Sequence, residues 1–162
     1  MIAEYLTLIA RIRHELDQLE EVVTRAERAI KAVRQHPDYQ DLYMDAAALN
    51  LHDFYTGVER IFQQIGSTVD NHIPSGQNWH QALLQQMGHE RPEQRPPALA
   101  TETINLLDEL LRFRHVVRNI YAFQFDPERI ARLVHLMRQA LEQVQTDLSA
   151  FSTFIEQIAN DE

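Results

Sequence analysis

Between Glu109 and Asp126 the chain has no acidic residue, yet this interval holds Arg112, Arg114, His115 and Arg118. In a chain of formal net charge −9 that is a local reversal of sign. The residue types define a chemistry. Arginine brings a permanent charge and a planar fork that grips phosphate or carboxylate through two N–H groups. Histidine exchanges protons near neutral pH. Asn119 and Tyr121 add an amide and a phenol. If the segment is helical, at about 100° per residue, Phe113, Val116, Val117 and Ile120 share one face, which the pattern assigns to the core. Arg114 and Arg118 fall on another face with Tyr121 close in angle, and His115 and Asn119 form an adjacent stripe. Spacing alone leaves a plain solvated face as an equal alternative.

Five helices are expected to position this segment. The first runs over 2–35, with Ile2, Tyr5, Ile9, Ile12, Leu16, Leu19, Val23, Ala26, Ile30 and Val33 alternating at three and four residues, a heptad seam. Lys31, Arg34 and His36 suit the negative end of its dipole. Pro37-Asp38 restarts the chain, and a second helix is expected from there to about Val69, with Gly57 inside its stripe as a tolerated glycine, the favoured reading, or as the seat of a close helix contact. A short third helix is expected over 78–87, ended by Gly88. The proline-rich stretch from Glu90 to Pro97 cannot be helical throughout. The fourth helix is expected over 101–121. Asp126-Pro127-Glu128 then opens a fifth, whose apolar seam runs from Ile130 to Ile158. No long period-two pattern occurs. The expected fold is all-α: an antiparallel four-helix bundle with one short additional helix, forming a single domain over 1–162. The first and fifth helices are long enough for part of each to meet a second subunit.

Composition narrows the function classes. With 44% hydrophobic and 24% charged residues the chain has the make-up of an ordinary globular protein. It has no cysteine, which excludes disulfides, thiolate metal sites and cysteine nucleophiles. Met1-Ile2-Ala3-Glu4 has no basic n-region, and no apolar run approaches the roughly 20 residues of a membrane span. A cytoplasmic protein without membrane contact is therefore expected. The net negative charge argues against broad nucleic-acid binding, so any such site must be local. The eight histidines show neither His-x3-His nor Glu-x-x-His spacing, so no metal site is expected. His72, His80 and His89 lie in or near loops, where they could contact substrate, although the reading as ordinary surface histidines is favoured. There is no glycine-rich phosphate loop and no nucleophile elbow.

The run Arg114-His115-Val116-Val117-Arg118-Asn119-Ile120-Tyr121 resembles the signature of HEPN ribonuclease toxins of the HepT-like type. Arg114 matches the motif arginine, His115 the polar residue after it and Tyr121 the tyrosine. Asn119 stands where a histidine is expected. Arg112-Phe113, the run from Phe123 to Pro127, and the stretch from Trp79 through Pro96-Pro97 resemble the same branch. The resemblance implies a helical homodimer with two motif copies across a cleft, acting as a metal-independent, cofactor-free ribonuclease on tRNA or mRNA. It implies a toxin paired with a minimal nucleotidyltransferase antitoxin that adds AMP to Tyr121. Arg114, His115 and Asn119 are then the catalytic candidates, and Arg112 and Arg118 the substrate-binding ones. An amide cannot act as a general acid or base. Proton transfer by His115, slow cleavage by electrostatics alone, and an inactive protein that binds RNA or the nucleotidyltransferase therefore all stay open.

Overall fold

The computed structural model describes residues 1–119, 121 and 124–161, apart from the side chain of Arg118. Helix α1 spans Ile2–Gln35, as its heptad seam predicts. Pro37 does not open the second helix directly. It starts a single 3-10 turn, Pro37–Tyr39, because its fixed φ suits a tight first turn, and α2 follows at Gln40–Thr68. Helix α3 is Trp79–Gly88, α4 is Thr101–Asn119 and α5 is Pro127–Asp161. Tyr121, expected as the last residue of α4, is not helical. The expectations for Ile120, Phe123 and the Arg118 side chain lie outside the described residues. The architecture is all-α. Among the described residues no helix is long and apolar enough to cross a membrane.

Helix α2 is the hub, packing against each of the other four helices. Its hairpin with α1 is antiparallel, since Glu15 meets Arg60 while Leu8 lies near Ser67. Gly57 is more than a tolerated glycine, because α1 and α2 meet closely there. A Cβ there would lie 2.7 Å from Leu19 Cδ2, so only glycine admits the buried Leu19 side chain without a shift. The α1 and α5 seams are consumed within the chain. Ile9, Ile12, Leu19 and Val23 from one, and Ile130, Met137, Leu141 and Leu148 from the other, are all buried. Arg138 of α5 adds bonds to Glu20 and Glu27 of α1, which fix the register of the two helices. The large apolar side chains left exposed on helices are Ile2 and Leu6 at the start of α1 and Leu42 and Leu49 on α2.

Helix α3 is only ten residues long and needs help to hold its place. Arg95, from the proline-rich connection, supplies it. Its side chain is fully buried, as is that of Asp70 just past α2. Arg95 Nε donates to Asp70 Oδ1 at 2.6 Å and Nη2 to Oδ2 at 2.9 Å. Nη2 also reaches the Gln86 carbonyl, and Nη1 donates to the carbonyls of His89 and Pro96. All five guanidinium hydrogens are thereby used. Gln86 Nε2 completes the carboxylate's set at 2.7 Å. One side chain thus ties the end of α2, the end of α3 and the loop after it. Helix α4 is anchored from α5, where Asp147 accepts from the Ala100 N–H and the Thr103 hydroxyl.

Candidate functional site

Tyr55 and Glu59 lie one helical turn apart on α2 and face the same way. Both are buried. Arg114 reaches them from α4. Its Nη1 donates to Glu59 Oε1 at 3.2 Å, and its guanidinium carbon lies 5.7 Å from the centre of the Tyr55 ring, a cation–π distance. The second Glu59 oxygen meets Nδ1 of His80, from the first turn of α3, at 2.6 Å. A carboxylate that takes an arginine hydrogen is an acceptor, so Nδ1 carries the proton and Nε2 is left for exchange. The His80 ring stacks on Trp79 with centroids 3.7 Å apart and meets His115 of α4 edge-on at 6.0 Å. Three helices therefore converge on one carboxylate, which holds a guanidinium on one oxygen and an imidazole on the other.

The wheel of α4 puts Arg114 on a polar face and leaves a plain solvated face as an equal alternative. The structure decides against solvation: Arg114 is 8% exposed, because α2 lies over the side a lone helix would show to water. Its guanidinium is not fully satisfied. Nε is buried and has no hydrogen-bond partner among the described residues. A buried cation with a donor to spare is costly in a purely structural role and suits an anion-binding one. The face expected to be apolar is mixed, with Phe113 buried and Val116 and Val117 half-buried.

Burial, followed by the negative charge of Glu59, pushes the Tyr55 phenol well above the ordinary tyrosine range, against a smaller opposing pull from Arg114. Tyr55 is thus a neutral platform beneath Arg114 and neither a base nor a nucleophile.

The structure brings together two of the residues singled out by sequence, Arg114 and His115. Asn119 lies one turn beyond His115 and is exposed; its side-chain Nδ2 donates to the His115 carbonyl at 2.7 Å. Tyr121 is 72% exposed. Arg112 points elsewhere, because α4 turns by about 200° between it and Arg114. Its side chain pairs with Asp108 at 2.8 Å and lines a groove with Arg34, Arg129, Arg132 and His135. The candidate role of Arg118 falls outside the described side chains. Sequence reasoning missed Glu59 and set His80 aside as a surface histidine, whereas its side chain is only 15% exposed. The signal for Glu59 was a charge interrupting the buried series Tyr55, Glu59, Phe62 on α2. For His80 the sequence offered none, since its partner comes from another helix.

Among the described residues no group of three or more His, Asp or Glu side chains is arranged to hold a metal ion. Neither the curated proteins nor the solved structures contain a match to the chain. A family model described as HepT-like protein does match it, over residues 46–155. That span takes in α3, α4 and nearly all of α2 and α5, and so every residue of the Glu59 cluster: the chain belongs to the HepT-like family.

Proposed function

We propose that this protein is a HEPN-type endoribonuclease that cuts tRNA or mRNA without a metal and serves as the toxin of a toxin–antitoxin pair. The observation that carries the reading is Arg114. It is a buried arginine in the position of the motif arginine, held by one bond to Glu59 with its Nε uncommitted. A phosphodiester entering beside His115 would meet the positive field of that guanidinium, and fixed charge aimed at a phosphoryl group stabilises the extra charge of the transition state. A homodimer would double this charge across its cleft. Tyr121, exposed just past α4, is the acceptor for AMP from a minimal nucleotidyltransferase; the added phosphate would compete with RNA for the same cations.

The test is incubation of purified protein with RNA, beside Arg114→Lys and Arg114→Ala. Both variants are expected to lose about 100-fold or more in cleavage rate, Lys included, because it keeps the charge and loses the fork. Circular dichroism checks that each is folded. If the folded variants cut as fast as wild type, Arg114 has no such role.

A second reading has its own observation. Asn119 cannot transfer a proton, and its amide is bonded to the helix backbone. The chain would then be an inactive member that binds RNA or the nucleotidyltransferase. Stable co-purification with such a partner, an AMP adduct on Tyr121 and no cleavage by the free protein would favour it. A Tyr121→Phe protein modified as readily as wild type would rule out that acceptor.

A further inference from the structure

Resting on the ribonuclease reading, we infer that His80 of α3, oriented by Glu59, is the general base of this site. Cleavage of RNA by its own 2′-hydroxyl needs one group to take the hydroxyl proton and another to protonate the departing 5′-oxygen. Among the described residues around Arg114, few can do either. Arginine does not give up its proton in proteins. Asn119 is an amide, and the Tyr55 phenol is buried and held neutral. Glu59 is buried and already engaged on both oxygens. Two imidazoles remain, His80 and His115, edge-on at 6.0 Å.

The two differ in how firmly they are held. His115 is exposed, and its edge-on meeting with His80 ties it to the site among the described residues. His80 is fixed on three sides: by the Glu59 bond at 2.6 Å, by Trp79 stacked 3.7 Å away and by His115. A carboxylate on Nδ1 sets the tautomer, leaves Nε2 as the basic nitrogen and stabilises the imidazolium that forms. Nε2 of His80 takes the 2′-hydroxyl proton as the 2′-oxygen–phosphorus bond forms. The bond from phosphorus to the 5′-oxygen breaks, and protonated His115 supplies the proton to that oxygen. The products are a 2′,3′-cyclic phosphate and a 5′-hydroxyl end, and the two imidazoles recover their starting states by exchange with water. Glu59 is a positioning residue, and the titratable groups meeting His80 are Glu59 from α2 and His115 from α4, with Arg114 on the far oxygen of the same carboxylate.

The experiment uses the full chain with His80→Gln, whose amide can still donate to Glu59, and with His80→Ala. Both are first checked for folding and for binding of a 2′-O-methyl RNA that cannot be cut. His80→Gln is expected to bind this RNA as wild type does and to cut ordinary RNA about 100- to 10,000-fold more slowly. It is also expected to lose the acid-side limb of the pH–rate profile. Free imidazole is expected to restore part of the cleavage by His80→Ala, which a purely structural role would not allow. Wild type that cuts RNA beside a His80→Gln protein that cuts as fast, with the same pH limb, overturns the role of His80 alone. Wild type that cuts no RNA overturns the ribonuclease reading and this inference with it.

Discussion

Glu59 governs what Arg114 can do. A guanidinium taken out of water costs several kcal/mol after relaxation, and only a well-placed counter-charge offsets it. Glu59 supplies that charge through one oxygen and spends the other on His80, so Arg114 stays buried without exhausting its donors. The motif made Arg114 legible in the sequence, but not its surroundings. A helical wheel sees one helix, and the partner here stands 55 residues away on α2. Tyr55 gives this scale its prediction. Its folded acidity is shifted to higher pH by burial, whereas the unfolded chain ionises it near pH 10. A phenol whose folded pKa is raised contributes stability that is fully present below about pH 10 and lost above it, since the unfolded state then binds fewer protons. Above about pH 10, wild type should therefore lose up to about 1.4 kcal/mol per pH unit more than Tyr55→Phe. Near pH 7 the two should differ little, because the buried hydroxyl has no partner to lose. Denaturant melts at pH 7, 10 and 11 would decide it, and parallel stability curves for the two proteins would show that Tyr55 ionises freely in the fold.

At the scale of elements, the long helices were legible because each carries a regular apolar seam of its own. The bounds of α1 were read to the residue, and those of α5 nearly so. Helix α4 was overrun at its end because hydrophobic period says nothing about where a chain leaves a helix. The placing of α3 was not legible at all. A ten-residue helix has too little surface to fix itself, and its anchor is the polar knot of Asp70, Gln86 and Arg95. Nothing in the run from Glu90 to Pro97 marks Arg95 as more buried than Arg91. Yet Arg95 is fully enclosed, while Arg91 is 31% exposed and 3.5 Å from the same carboxylate. Arg95→Ala removes the enclosed cation that bonds both Asp70 oxygens and leaves that buried carboxylate only Gln86 and the longer contact to Arg91, a change expected to cost up to about 3–5 kcal/mol. Arg91→Ala should cost under about 1 kcal/mol, because its contact is long, its side chain is partly exposed and Arg95 still satisfies Asp70. Because the knot holds the helix that carries His80, the first variant should also slow RNA cleavage under conditions where it remains folded. Thermal melts of both variants test the ordering, and equal losses would mean that the knot is not what holds α3.

For the whole molecule, the proposed ribonuclease role requires that a chain of net charge −9 receive a polyanion. The reversal of sign on α4 anticipated part of the answer. The rest required the fold, because the end of α1 and the start of α5 add their own cations beside Arg112. Arg34, Arg112, Arg129, Arg132 and His135 line one groove of about 720 Å³, with Glu109 as the acid on its wall. Arg112 is paired with Asp108 but 79% exposed, and a surface pair of that kind yields readily to a phosphate. A second recess, between α1 and α2, carries Arg25, Arg28 and Lys31, so positive charge by itself does not say where RNA runs. The groove shares α4 with Arg114 and His115 but lies on the side turned about 200° from Arg114, so a strand held there would have to wrap the helix to meet both. Its use can be read from salt dependence. Each phosphate contact on a single strand contributes about 0.7 to the slope of log affinity against log salt. Arg129→Glu combined with Arg132→Glu should weaken binding of a 2′-O-methyl RNA and lower that slope by about 1.4, two contacts' worth. Arg25→Glu with Arg28→Glu changes the net charge equally and should leave the slope as it is. A slope that falls for the second pair and holds for the first would place the RNA on the α1–α2 side, and Arg112 would lose its part in substrate binding.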